Sequence, residues 1–261
     1  MLKKKFSIKS SSEIEIMREG GKRLSSILWQ VAKAVRSGMQ TRELDIFARN
    51  LIEQGGDEPA FLNYKPEFAP RPFPATLCVS VNDEVVHGIP GKRVLSEGDI
   101  VGLDLGLKHQ GFFVDMAVTV PVGNISGADK KLIEMTKQAL LVGIAEVKDG
   151  VRTGDIGAAI ARVVIPTGLS IVEELGGHGV GEQVHELPFI ANFGRKGTGT
   201  KLVSGQTIAL EPMLNAGRPE VIFDKQDGFT IRTRDHAHSA HFEVTLVVTP
   251  TGADILTPIF W

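Results

Sequence analysis

The chain lacks what several classes of protein need. Its one cysteine, Cys78, excludes an internal disulfide framework and cannot build a cysteine-rich zinc site. That scarcity suits a reducing compartment. No charge of one sign dominates. The 29 Lys and Arg face 31 Asp and Glu, a formal net charge of −2, which disfavours a general nucleic-acid coat. No window reaches the roughly 18 consecutive apolar residues of a membrane span. The start carries the short cluster Lys3–Lys5, with no apolar stretch of signal-peptide length behind it. The expectation is a soluble, cytoplasmic protein with no membrane partner and no specific nucleic-acid partner.

What is present describes a globular chain. It has 261 residues, 42% of them hydrophobic. That length allows one or two domains and the burial of about three quarters of the unfolded surface. Ser12-x-x-Glu15 has the spacing of a capping box. Behind it Ile14, Met17, Leu24, Leu28, Val31 and Val35 recur at three- and four-residue steps if Gly21 fills the gap, one face of a helix that Gly38 would stop. A second helix is expected from Thr41, its N-cap, to Gly55-Gly56, with Leu44, Phe47, Leu51 and Ile52 inward. From Pro59 to Pro74 the chain is rich in Pro and aromatics (Phe61, Tyr64, Phe68, Phe73) and reads as loop. Strands are expected at Thr76–Val81, Ile100–Leu107, Phe112–Val122, Val172–Glu174, Thr207–Leu210, Val221–Phe223, Phe229–Thr233 and Phe242–Val248. Helices are expected at Ala128–Val147 and Asp155–Val164.

An internal repeat organises these elements. Val35–Leu44 resembles Val147–Ile156, and Glu97–Asp104 resembles Ser204–Glu211. Phe113-Val-Asp115 loosely resembles Phe242-Glu243, and the three matches occur in the same order. The expectation is one α+β catalytic domain, 1–261, of two similar helix-helix-strand halves, about 12–125 and 126–255.

The repeat puts carboxylates at matched places. Asp104 and Glu211 each end an apolar strand; Asp115 and Glu243 each lie just beyond a phenylalanine at the start of another. Four converging carboxylates are very unfavourable unless cations compensate. Two divalent ions would balance their charge. Histidine adds His87 in Val-Val-His-Gly-Ile-Pro, and His178 and His185 in a Gly-rich stretch. By count His236, His238 and His241 form another candidate metal cluster. Their Arg, Asp and Ser neighbours favour an exposed hairpin for the first two.

The set resembles a known family. Val-Val-His87-Gly-Ile-Pro, Asp104 with Asp115 eleven residues on, Gly-His178-Gly-Val-Gly, His185-Glu-x-Pro, Glu211-Pro-Met and Phe-Glu243 are similar to the motifs of the methionine aminopeptidases. The resemblance runs from the first helix nearly to the C-terminus. Glu211 follows His178 by only 33 positions, which leaves no room for the helical insertion of the type II enzymes. With no N-terminal zinc-binding extension, the chain looks like the short, bacterial-style type I form.

The resemblance implies the pita-bread fold, two pseudo-symmetric halves around a central antiparallel sheet. It implies Asp104, Asp115, His178, Glu211 and Glu243 as ligands of two divalent ions (Co, Mn, Fe or Zn). A hydroxide activated by both would attack the first peptide bond and remove the N-terminal methionine. It gives Glu211 the proton transfer, His185 the oxyanion contact and His87 the leaving amide, and sets Tyr64, Phe73 and Cys78 at the methionine pocket. Phe61, Val184 and Phe229 depart from the residues common there, and the loop between Tyr64 and Phe73 is longer than in the bacterial enzymes. Asn82 and Ser239 match residues near a monovalent-cation site in some relatives, although turn hydrogen bonding explains them as well. The implied partners are nascent polypeptides with a small second residue, met near the ribosome by a monomeric enzyme. Two other readings compete: a proline-directed peptidase of the same fold, and a binding module that lost catalysis. The first usually carries a separate N-terminal domain, and the second usually loses metal ligands.

Overall fold

Ser10 opens the first helix, α1 (Ser11–Ala34). Its hydroxyl accepts from the Glu13 N–H at 3.4 Å, and the Glu13 carboxylate accepts from the Ser10 N–H at 2.7 Å. The box therefore lies two residues before the expected Ser12 and Glu15. Ser10-x-x-Glu13 has the same spacing and comes first, and Glu15 pairs instead with Arg18. The helix ends at Ala34, and Gly38, at φ +86°, lies in the turn that follows. Met17, Gly21, Leu24, Leu28 and Val31 are buried, as the periodicity requires. In α2 (Thr41–Gln54) the N-cap is Gln40, one residue before the expected Thr41. The Glu43 carboxylate takes the Gln40 N–H at 2.6 Å, and the Thr41 hydroxyl is drawn to the Gly91 carbonyl at 3.2 Å. Helices α3 (Gly127–Glu146) and α4 (Thr153–Val164) follow expectation within two residues.

The computed structural model describes residues 7–66, 69 and 71–261, so Phe68 and Lys3–Lys5 lie outside the described residues. Its strands are β1 (Glu58–Pro59), β2 (Leu77–Val81), β3 (Glu84–Val86), β4 (Ile100–His109), β5 (Phe112–Pro121), β6 (Ser170–Ile171), β7 (Gly176–Gly179) and β8 (Glu186–Ala191), then β9 (Thr207–Leu210), β10 (Met213–Asn215), β11 (Val221–Phe223), β12 (Ile231–Thr233), β13 (Ser239–His241), β14 (Glu243–Val248) and β15 (Ala253–Ile255). Two expected strands move. Instead of Val172–Glu174 the chain pairs earlier, at β6, because Glu173 and Glu174 are exposed. Phe229–Thr233 narrows to β12, because the Asp227 carboxylate accepts the N–H groups of Phe229 and Thr230 and holds them in a turn.

The main sheet runs β1-β4-β5-β14-β9-β7-β8, with β2 also on β4 and β15 on β14. All its pairings are antiparallel. The central order β4-β5-β14-β9 is the repeat in space: β4 of one half corresponds to β9 of the other, and β5 to β14. This is the α+β pita-bread architecture. Helix α1 packs on β4 and β5, α2 on β2 and α4 on β8. Leu103, Leu105 and Leu107 of β4 are buried in the core with Leu24 and Leu28 of α1. By strand alternation Asp104 and Gly106 face the other way. Among the described residues no helix is long and apolar enough to cross a membrane.

Gly21 sets how closely α1 can approach. A Cβ there would stand 2.0 Å from the Leu256 carbonyl oxygen, a backbone atom that cannot swing aside. Gly21→Ala is expected to cost about 3 kcal/mol through overpacking, read as a lower urea midpoint at unchanged slope. An unchanged midpoint would contradict this packing.

Candidate metal centre

Register explains why the acidic residues meet. Asp104 of β4 stands opposite Ala117 of β5, and Ala117 stands opposite Glu243 of β14. Directly opposed residues share a face, and so do residues two apart on a strand. Asp115, two before Ala117, therefore joins Asp104 and Glu243. Thr245, two beyond Glu243, faces Ala209, which also faces His178 of β7. Glu211 is two beyond Ala209. Small residues at 117 and 209 leave room between these side chains. His178 is brought in by its glycines: a Cβ at Gly177 or Gly179 would stand 2.3 Å from the Ala209 oxygen or 2.2 Å from the Leu187 oxygen.

Several contacts hold this array. The Thr245 hydroxyl accepts the Asp115 N–H at 2.9 Å and donates to the Asp115 carbonyl at 2.8 Å. Asn192 donates to the Glu211 carbonyl at 3.0 Å. His178 Nδ1 lies 2.9 Å from the Gly179 carbonyl, so its proton sits there and Nε2 keeps a free lone pair. That Nε2 stands 3.5 Å from Glu211 Oε1 and 4.0 Å from Glu243 Oε1.

The array suits divalent cations. Loss of water raises the Asp115 carboxyl to about 7 and that of Glu211 to about 8. Loss of water, followed by the charge of Asp115, lifts Asp104 and Glu243 well above the usual carboxylate range. Burial lowers His178 to about 4, so its ring is neutral and able to ligate at pH 7. Asp104 Oδ1, Glu243 Oε1 and His241 Nε2 are buried without a hydrogen-bond partner among the described residues. Two triads have ligand atoms close enough for one ion: Asp115–His178–Glu243 and Glu211–His241–Glu243. They share Glu243.

All the residues expected at the site line one cavity. Beside the acidic cluster, its walls include Phe61, Tyr64, Phe73, Cys78 and Phe229, with His87 and His185 also present. Phe73 and Phe229 meet edge to face at 5.1 Å, and Val184 is buried in the same apolar cluster. Cys78 stands opposite Asp104. Burial, with Asp104 nearby, pushes its thiol up, so Cys78 is a neutral wall. His87 adopts φ +60°, an uncommon conformation for a non-glycine residue. His185 packs edge to face on His178 at 4.5 Å, and its Nδ1 lies 2.9 Å from the Tyr64 hydroxyl.

The three-histidine cluster does not assemble. His236 Nδ1 contacts Asp83 at 3.2 Å and His238 Nδ1 contacts Asp129 at 2.7 Å. His241 Nε2 faces Glu211 and Glu243. The first two lie on a link between strands of different sheets, not in a hairpin, because β12 pairs with β11 and β3 while β13 pairs with β10. A count of histidines groups His241 with the other two, whereas alternation is the useful signal: His241-Phe-Glu243 puts both ends of an extended tripeptide on one face. Asn82 and Ser239 make ordinary local bonds. Asn82 donates to Asp99 at 2.8 Å and accepts from the Ile100 N–H at 3.0 Å, and Ser239 donates to the Leu214 carbonyl at 3.2 Å.

Comparisons with known proteins agree with this geometry. Residues 15–250 match the model of metallopeptidase family M24. The chain is 42% identical over 251 residues to methionine aminopeptidase 1 of Bacillus subtilis strain 168, covering 96% of this chain and 98% of the relative. It superposes on the crystal structure of methionine aminopeptidase from Rickettsia prowazekii with a TM-score of 0.93 at 37% identity, covering 97% of this chain and 100% of that one. A Xaa-Pro dipeptidase from Bacillus anthracis gives a TM-score of 0.76 at 21% identity, covering 97% of this chain and 62% of the other, a likeness of fold alone. Fold and site together define a metal-dependent peptidase. The chain belongs to the methionine aminopeptidases of metallopeptidase family M24.

Proposed function

We propose that this chain removes the N-terminal methionine from proteins as a metal-dependent aminopeptidase, using two divalent ions held by Asp104, Asp115, His178, Glu211 and Glu243. The observation that carries this reading is the convergence of these five side chains on one face of the sheet, beside an apolar pocket. When bound, the ions supply Lewis acidity, polarising the scissile carbonyl and making water a nucleophile near pH 7.

The chain's own groups do the rest. A hydrogen bond donated by the Tyr64 hydroxyl and accepted by His185 Nδ1 puts the ring proton on Nε2. That N–H is the donor for the developing oxyanion, worth about 3 kcal/mol by the measure of other such donors. Glu211 carries the proton from the attacking water to the leaving amine, and His87 contacts the leaving amide. Phe61, Phe73, Phe229, Tyr64 and Cys78 enclose the methionine side chain, whose flexible thioether adapts to irregular apolar walls. Substrates are nascent chains with a small second residue, met near the ribosome in the cytoplasm by a monomer.

The test is a peptide panel. Metal-free protein is given Co, Mn, Fe or Zn in turn and offered Met-Ala-Ser and an Ala-Pro peptide. Release of methionine with at least one ion, with the Ala-Pro peptide intact, is expected. Cleavage of the Ala-Pro peptide alone would favour the proline-directed reading. Failure to bind any ion would favour the binding module.

A further inference from the structure

We infer that His241 is a sixth ligand of the metal centre, adding a second imidazole to a set that otherwise holds one. The inference rests on the metal-centre reading above and goes beyond its five ligands.

The argument starts from distances. His178 Nε2 stands 3.5 Å from Glu211 Oε1 and 4.0 Å from Glu243 Oε1. His241 Nε2 stands 3.4 Å from Glu211 Oε2 and 3.8 Å from Glu243 Oε2. The two histidines thus address the same two carboxylates, one through each oxygen, at nearly equal separations. Two atoms each about 2.1 Å from one ion at a tetrahedral angle lie about 3.4 Å apart, so this spacing fits a shared ion.

A hydrogen bond fits less well. An N–H to carboxylate bond spans about 2.7–2.9 Å, and His241 Nε2 makes none among the described residues. The atom is fully buried, and such polar atoms are rarely left without a partner. An ion held with Glu211 and Glu243 supplies one. Backbone geometry delivers the ring: His241 ends β13, paired opposite Met213, and Glu243 begins β14 two residues later. Both belong to paired strands, which hold the imidazole facing the two carboxylates.

A second imidazole changes the chemistry of the site. Imidazole suits zinc, iron and other later transition metals, whereas carboxylate-rich sets suit manganese. His241 therefore biases the centre away from manganese.

X-ray absorption on the full chain loaded with two equivalents of Zn or Co counts the imidazoles directly. The expected result is an average of one imidazole per ion, falling to one-half in His241→Gln at the same metal loading. Chelator competition on the same samples should show Zn or Co binding weakened at least about tenfold in His241→Gln. An average of one-half in the unaltered protein overturns the inference and leaves the five-ligand centre standing; His241 would then only position Glu211. Failure of the unaltered protein to bind either ion overturns the metal-centre reading itself. Since the unaltered protein gives the count, a folding defect in the variant does not spoil the test.

Discussion

Stripping the divalent ions is expected to abolish peptide cleavage and to leave a protein that loses stability as pH rises from 6.5 to 8. The carboxyls of Asp115 and Glu211 rise to about 7 and about 8 in the folded chain, chiefly through loss of water. Their unfolded values are near 4, so over this window the native state binds more protons than the unfolded state. Stability therefore falls with pH until the folded values are passed. The neighbouring histidines act oppositely. Burial lowers His87 and His178 to about 4 and His241 to about 3. Their stabilising effect is lost as pH falls below about 6.5, the usual histidine value. Above 6.5 only the carboxyls count. At about 1.4 kcal/mol per pKa unit, Glu211 with a smaller share from Asp115 gives a loss of about 2–3 kcal/mol, and the raised carboxyls of Asp104 and Glu243 add to it in the same direction. Bound ions replace those protons, so the loaded protein should be nearly flat over the same window, and metal affinity should rise with pH. Urea titrations of metal-free and metal-loaded protein at pH 6.5, 7.2 and 8 measure both curves. A metal-free midpoint that is constant or rises would overturn the account.

The sequence was legible where local pattern and tertiary need agree. The α1 face from Met17 to Val31 repeats with helical period, and its residues are buried as read. Asp104 and Glu211 occupy matched places in the two halves, and the repeat appears as the mirrored order β4-β5-β14-β9, but β4 runs on past Asp104 to His109 while Glu211 lies just beyond β9. Of the short strands, Val221–Phe223 and Thr207–Leu210 were legible and others were not. β7, Gly176–Gly179, is three-quarters glycine, and glycine is depleted in strands. It is a strand because β8 and β9 approach too closely for any Cβ at Gly177 or Gly179. Likewise β3, β10 and β13 have three residues each and are set by partners distant in sequence. His241 illustrates the same limit at the site. Its neighbours in sequence suggested a cluster with His236 and His238, whereas strand geometry turned it toward Glu211 and Glu243.

Replacing Glu211 by Gln is expected to lower kcat for a Met-Ala-Ser peptide by about 10²–10⁴-fold, the range for loss of a positioned general acid–base group. Gln keeps the length of the side chain and one oxygen able to ligate, but it cannot take up and release a proton. The position suits that task. Loss of water places the Glu211 carboxyl at about 8, close to working pH, where a group exchanges protons most effectively in both directions. Bound cations will lower that value, because opposite charge favours the carboxylate. The acidic limb of the kcat profile should therefore lie below pH 8, and it should vanish in Glu211→Gln. Glu211 also faces His178 at 3.5 Å, so the variant could lose activity simply by losing an ion. Metal content on the same sample separates the two causes. Retained ions with a deep fall in kcat and a flattened profile indicate proton transfer. A matching loss of ions would make Glu211 a ligand and no more, and activity within tenfold of the unaltered protein would remove it from the proton path. The conservative variant Glu211→Asp sharpens the comparison: it keeps an ionisable group on a shorter stem, so it should run slower but preserve the acidic limb that Gln abolishes.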